Sequence, residues 1–311
     1  MKAVRYHNYG AAEELKYEDI SIPEITDDEV LIKVEATSFN PVDGFIRSGW
    51  FKDYMPVTLP FTPNSDVAGV IEKAGKNVVG FKTGERVFGF LNLTKNGAAA
   101  EYVATDTAGL AIAPKSISLV DAAAVPATAL TAWQGMFEHG NVKAGQRVLI
   151  TAAAGGVGSF AVQFAKNTGA YVIGTASDAS KPILNELGIN EIINYKTEIL
   201  TEALTEKVDM VFNLTPLGSE EVNKMLDVIK PGGVLVSALN PADAELAKSK
   251  GIKTIRMGVT RNSTQLKEIA ALIDEGKVKP YITEKLQLKD LAEAHKKSEA
   301  GQIRGKIVIT I

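Results

Sequence analysis

Val148-Leu-Ile-Thr-Ala-Ala-Ala-Gly-Gly-Val-Gly158 decides the fold. A short apolar run enters a glycine turn, and a helical stretch from about Val157 to Asn167 leaves it. Strand, glycine turn, helix is the opening of a βαβ unit that holds a pyrophosphate. Gly155 lets backbone approach the anion and Gly158 lets the helix pack close to the strand. The helix start offers Gly156 and Val157 N–H groups and a positive dipole end. Ala153 stands where the pattern has its first glycine, so the match is degenerate.

Outward from this turn, further strands read at Tyr171–Thr175, Ile192–Ile193, Val208–Phe212, Val234–Ser237 and Lys253–Met257, with helices such as Glu220–Ile229 and Ala242–Lys250 between them. Six strands alternating with helices predict a doubly wound parallel sheet, and so an α/β class. Before Asp121 the rhythm differs. Val30, Ile32 and Val34 alternate with Leu31, Lys33 and Glu35, and short runs at Val67–Ile71, Arg86–Phe90, Glu101–Ala104 and Leu110–Ala113 are punctuated by glycines. That pattern predicts a small irregular β-barrel. The tail from Asn262 reads helix, strand, helix, strand, and should return to the first domain. The expected division is 1–121 with 262–311, and 122–261.

The 311 residues suit two domains. A net charge of −3 gives no strong attraction to nucleic acid or anionic membrane. The absence of cysteine excludes disulfides and thiolate metal sites. No apolar run approaches a membrane span, and the N-terminus has no apolar signal core. A cytoplasmic protein is expected.

The second strand discriminates the cofactor. NAD-binding folds carry an acid about 20 residues past the glycine turn, bonded to the ribose 2′-hydroxyl. That position here is Ala176, in Gly174-Thr-Ala-Ser-Asp-Ala-Ser-Lys181. A small residue, the Ser177 hydroxyl and the Lys181 cation suit a 2′-phosphate, so NADPH is expected over NADH. Lys181 also reads as a solvated helix residue. Asp178 is read as capping the next helix and pointing away.

The stretch Ala152-Ala-Ala-Gly-Gly-Val-Gly-Ser-Phe-Ala-Val-Gln-Phe-Ala-Lys166 resembles the signature of zeta-crystallin-like quinone oxidoreductases, of the medium-chain dehydrogenase/reductase superfamily. Asn40-Pro-Val-Asp43, Ile46-Arg-Ser-Gly49, Pro63-Asn-Ser-Asp-Val-Ala-Gly-Val-Ile71, Pro126-Ala-Thr-Ala-Leu-Thr-Ala132, Lys230-Pro-Gly-Gly233 and Arg304-Gly-Lys-Ile-Val308 match in order. The resemblance covers essentially the whole chain. It implies a GroES-like catalytic domain interrupted by a Rossmann domain, and a homodimer joined at the last Rossmann strand, near Lys253–Met257. Zinc-dependent cousins use Cys, His and Cys where this chain has Asn40, Ser65 and Ala127, so no metal is expected. His7, His139 and His295 are scattered and read as surface or structural residues.

Without a Lewis acid, alcohol oxidation is disfavoured, and hydride transfer to an electrophilic acceptor remains. The resemblance places Asn40 beside the nicotinamide, donating to the cofactor or to the acceptor oxygen; alternatively it forms the turn before Pro41. Thr131 resembles the hydroxyl at the nicotinamide end, or bonds its own helix backbone. Tyr195, in Ile193-Asn-Tyr-Lys196, resembles the tyrosine at the 2′-phosphate, or is a core aromatic. Asp43 reads as fixing its loop. Phe45, Trp50, Phe51 and Tyr54 form either an apolar lid that stacks on a flat acceptor or ordinary barrel packing. Phe45 and Phe51 replace tyrosines of zeta-crystallin, and Asn213 replaces an acid common in the family, with little effect expected. The acceptor is a quinone, or alternatively a 2-alkenal or enone reduced at its C=C bond. A reading of another class, a non-enzymatic NADPH-binding protein like the crystallin or RNA-binding relatives, is disfavoured for RNA by the acidic net charge.

Overall fold

The computed structural model describes all 311 residues. Along the chain its first strands are β1 (Lys2–Arg5), β2 (Lys16–Asp19), β3 (Glu29–Ser38), β4 (Asp66–Ala74), β5 (Arg86–Phe90), β6 (Tyr102–Asp106) and β7 (Leu110–Ile112). Then come β8 (Arg147–Ile150), β9 (Tyr171–Ala176), β10 (Glu191–Asn194), β11 (Val208–Asn213), β12 (Ile229–Ser237) and β13 (Lys253–Arg256). The tail adds β14 (Ile282–Gln287) and β15 (Lys306–Thr310). Four helices bear on the site: α1 (Pro41–Arg47), α2 (Leu119–Ala122), α3 (Pro126–Trp133) and α4 (Gly156–Thr168).

Two compact units result, Met1–Leu130 with Arg261–Ile311, and Thr131–Thr260. In the first, a seven-stranded sheet runs β14-β15-β3-β4-β5-β7, with β6 also on β3. The ten-residue β3 divides one edge between two partners, β6 along Glu29–Lys33 and β15 along Ala36–Ser38. Its pattern of buried Val30, Ile32, Val34 and Ala36 against exposed Lys33 and Glu35 explains why one face meets a core. That core gathers Ile32, Val67, Ile71, Val87 and Leu110. Each such buried side chain stabilises the fold by about 1.5–3 kcal/mol. The returning tail lays β15 between β14 and β3, as the sequence implied. The hairpin β1–β2 has no counterpart in the sequence reading, because β2 is almost wholly exposed and carries no apolar alternation. Residues 122–130 belong to this first unit, so its boundary falls after Leu130 and not after Asp121.

The second unit is a parallel sheet of order β10-β9-β8-β11-β12-β13, a doubly wound arrangement whose order reverses between β8 and β11. Leu149, Ile173, Val211 and Leu235 pack one face against Val222, Leu226 and Ala247. The expected helix over Glu220–Ile229 ends early: Ser219–Lys224 is α-helical, Met225–Val228 tightens to a 3-10 turn, and Ile229 already begins β12. No helix in the molecule is long and apolar enough to cross a membrane.

Candidate functional site

In the second unit, β8 delivers the chain to the glycine turn at the point where the strand order reverses. Gly155 is the extended N-cap of α4, and no side chain caps that helix. The first-turn N–H groups at Gly156 and Val157 therefore have no partner within the helix, and both residues are accessible. An anion is the natural acceptor for such groups. Gly158 is required by space: a Cβ there would sit 2.3 Å from the Ala152 carbonyl oxygen. A Cβ on Gly155 would already press that oxygen at 3.1 Å.

The degenerate first position is also accounted for. Ala153 is fully buried, and its methyl occupies room vacated by Gly174 on the neighbouring strand, where a Cβ would come within 2.6 Å of it. The turn is fastened to β9 by Ala153 N–H donating to the Thr175 carbonyl at 3.1 Å. Asn213, expected to matter little, proves to join the carboxyl ends of three strands. Its Oδ1 accepts from Thr151 Oγ1 at 3.0 Å and Thr215 Oγ1 at 2.7 Å, and its Nδ2 donates to Ser237 Oγ at 3.1 Å. A carboxylate could accept from Thr151 but could not donate to Ser237 unless protonated.

At the carboxyl ends of β9 and β10, Ala176 lies opposite Asn194 in register. This brings the Ser177 and Tyr195 segments side by side. Tyr195 is 61% exposed, so it is not a core aromatic. Asp178 does not cap a helix as expected; neither short helix that follows has a side-chain cap. Instead its carboxylate pairs with Lys181 Nζ at 2.7 Å. The Lys181 hydrogen bond and charge hold the Asp178 carboxyl below its usual range, helped by a hydrogen bond from Asn194 and the charge of Lys196. Both partners are exposed, so an incoming phosphate can exchange for the carboxylate at little cost. The residues present fit NADPH: uncapped helix N–H groups for the pyrophosphate, and a hydroxyl, a cation and an accessible ring, with no acid at Ala176, for the 2′-phosphate.

The first unit holds a buried polar network of which the sequence reading singles out Asn40 and Asp43. Asn40 is the N-cap of α1, and its backbone N–H donates to Asp43 Oδ2 at 2.8 Å. Its Oδ1 accepts from Lys306 Nζ at 2.7 Å, and its Nδ2 donates to Asp66 Oδ2 at 2.8 Å. Asp66 also accepts from Ser38 Oγ at 2.5 Å and from the Ala127 N–H at 2.7 Å. Lys306 completes its donors on the Phe39 carbonyl at 2.7 Å and on Asp66 at 3.2 Å. Burial lowers the Lys306 pKa, against the pull of Asp66 and Asp43. Burial likewise pushes the Asp43 carboxyl up to about 7, opposed by its backbone hydrogen bond and by Lys306. Asp43 thus fixes its loop. Lys306 lies 240 residues from Asp66 in sequence, and a lone lysine in an apolar strand gives no local signal of this partnership.

Phe45, Trp50 and Phe51 do come together, edge to face at 5.2 and 5.7 Å between centroids. Trp50 is 75% exposed, which rules out simple barrel packing for it, and Tyr54 is exposed outside the ring cluster. Thr131 is half-buried in α3 and opens the second unit. His295 is buried against the edge of Phe39, a structural position, and burial drives its pKa down to about 3.

A zinc ion does not fit the positions its cousins use. Asn40 Oδ1 is committed to the Lys306 ammonium, whose charge would repel Zn²⁺, and Ala127 has no side-chain donor. No cluster of three or more His, Cys, Asp or Glu side chains exists elsewhere.

Residues 26–115 match the alcohol dehydrogenase GroES-like domain family, and residues 187–309 match the zinc-binding dehydrogenase family. The chain is 33% identical to human quinone oxidoreductase, across the whole of this chain and 98% of that protein. It is 35% identical to the chloroplastic NADPH-dependent alkenal/one oxidoreductase of Arabidopsis thaliana, over 99% of this chain and 79% of that one. The Escherichia coli quinone oxidoreductase solved in complex with NADPH superposes with a TM-score of 0.90 at 28% identity, covering both chains completely.

Proposed function

This chain belongs to the quinone oxidoreductase family of the medium-chain dehydrogenase/reductase superfamily, and on that footing we propose that it is an NADPH-dependent reductase of quinone-type acceptors. The observation that carries the cofactor half is the uncapped glycine turn beside Ala176, Ser177 and Lys181. Gly155, Gly156 and Val157 hold the pyrophosphate through backbone N–H groups. Ser177, Lys181 and Tyr195 receive the 2′-phosphate, and Thr131 serves the nicotinamide end. NADPH, when bound, supplies the hydride. Asn40 donates an N–H to the acceptor oxygen as negative charge grows there, the role of an oxyanion donor. Phe45, Trp50, Phe51 and Tyr54 form the apolar surface that stacks on a flat acceptor.

A second acceptor class is supported by the alkenal/one oxidoreductase relative. A conjugated enone presents the same needs: hydride to one end and stabilisation of oxygen at the other. Product analysis separates the two, since C=C reduction leaves a saturated carbonyl and quinone reduction leaves a hydroquinone. The deciding experiment is fluorescence titration with NADPH and NADH, followed by NADPH oxidation with 1,4-benzoquinone and with 2-hexenal. NADPH preference with turnover of either acceptor supports the reading; NADH preference, or turnover of neither, rejects it.

A further inference from the structure

We infer that Lys306 is a positioning residue for this reaction: its ammonium turns the Asn40 amide so that an N–H, not the carbonyl oxygen, faces the acceptor. The inference rests on the role given to Asn40 above. An asparagine amide has two ends of nearly equal size, so packing cannot choose between its two flips. Charge can. Lys306 has only donors and therefore selects Oδ1, at 2.7 Å. Asp66, accepting from Ser38 and the Ala127 N–H, selects an Nδ2 hydrogen, at 2.8 Å. The two contacts admit one orientation. They leave the second Nδ2 hydrogen without a protein acceptor on a residue that is 6% exposed.

The same cation draws electron density through Oδ1, which makes that remaining N–H a stronger donor. A buried ion pair contributes little net stability compared with apolar residues of similar volume. Its placement around a single amide therefore points to orientation. The pair is well suited to this role, because Lys306 spends all three donors on fixed oxygens and both side chains are almost fully buried.

The test is a mutant cycle on kcat for NADPH-dependent reduction of 1,4-benzoquinone. Asn40→Ala and Lys306→Met are each expected to lower kcat about 10- to 100-fold, with the NADPH dissociation constant unchanged. The double variant should be no slower than Asn40→Ala, within about twofold, because Lys306 acts through the amide. Multiplying losses, or a full kcat in Lys306→Met beside a poor Asn40→Ala, overturn the inference alone. Full activity in Asn40→Ala overturns the assignment of Asn40 and the inference with it. Lys306→Met strands the Asp66 charge, so Asp66→Asn with Lys306→Met, which removes both charges, is measured alongside. A readout independent of turnover is the Asn40 side-chain amide in ¹⁵N-asparagine-labelled protein. Its hydrogen exchange should quicken at least tenfold in the charge-free double variant; unchanged exchange counts against the inference.

Discussion

At the scale of single residues, charge is used twice in opposite ways. Lys306 is locked and buried, whereas Lys181 is exposed and its partner Asp178 is replaceable. On the role proposed for Lys181, Asp178 is an internal competitor for the 2′-phosphate. Asp178→Asn should tighten NADPH binding roughly threefold and Lys181→Ala should weaken it about fivefold, with NADH affected by neither. Fluorescence titration at low salt checks this; equal effects on both cofactors would place the pair elsewhere than the 2′-phosphate. His295 makes a pH prediction. Its folded pKa is about 3 against a free value of 6.5, mainly through burial and secondarily through Arg47. Between those values the unfolded chain binds a proton that the folded chain refuses, so this group's stabilising contribution is lost as pH falls from about 6.5 toward 3. Asp43 runs the other way. Its pKa rises from 3.8 to about 7, so the folded chain retains a proton the unfolded one has released, and stability falls as pH climbs through that window. The two slopes oppose each other between pH 4 and 6.5. His295→Leu should therefore gain about 2 kcal/mol relative to the wild type between pH 7 and pH 5, measured by urea unfolding. A pH-independent difference would mean that His295 does not titrate differently on folding.

At the scale of elements, the strand-turn-helix β8–α4 and its neighbour β9 are legible in the sequence because their signals are local: an apolar run, glycines at fixed spacing, and a left-handed Gly169 after the helix. The parallel sheet and the returning tail follow from rhythm alone. Asp178 reads wrongly as a cap because Asp before a short helix is a good one in sequence, and only the structure shows Lys181 within reach. Asn40 is visible from its setting before Pro41, but its partners Asp66 and Lys306 come from β4 and β15, and no spacing rule links them. The weak first glycine proves to be a trade between strands, which is testable. Gly174→Ala alone should destabilise the protein by about 1–3 kcal/mol through its 2.6 Å approach to the Ala153 methyl. Adding Ala153→Gly should relieve part of that loss, leaving the Ile189 side chain, at 2.5 Å, to adjust. Strict additivity in thermal unfolding would show that the methyls never meet.

At the scale of the whole molecule, β13 is the terminal strand of the parallel sheet, paired only with β12. An open edge of this kind invites a second copy. Sedimentation equilibrium should find two 33.2 kDa chains together, and Thr254→Pro, which removes an N–H donor along that open edge, should release single chains. A wild type that remains single at micromolar concentration rejects the pairing. The division of the first unit has a consequence of its own for biosynthesis. Asn40 and Asp66 leave the ribosome some 240 residues before Lys306 does. At bacterial or eukaryotic elongation rates that interval is on the order of tens of seconds. Throughout it, the Asp66 carboxylate has no cation and β3 lacks β15 along Ala36–Ser38. If Asn40 serves the acceptor as proposed, its amide acquires that orientation only when β15 docks. On the roles proposed above, a chain that stops short of Lys306 keeps the glycine turn and lacks the ammonium that orients the Asn40 amide.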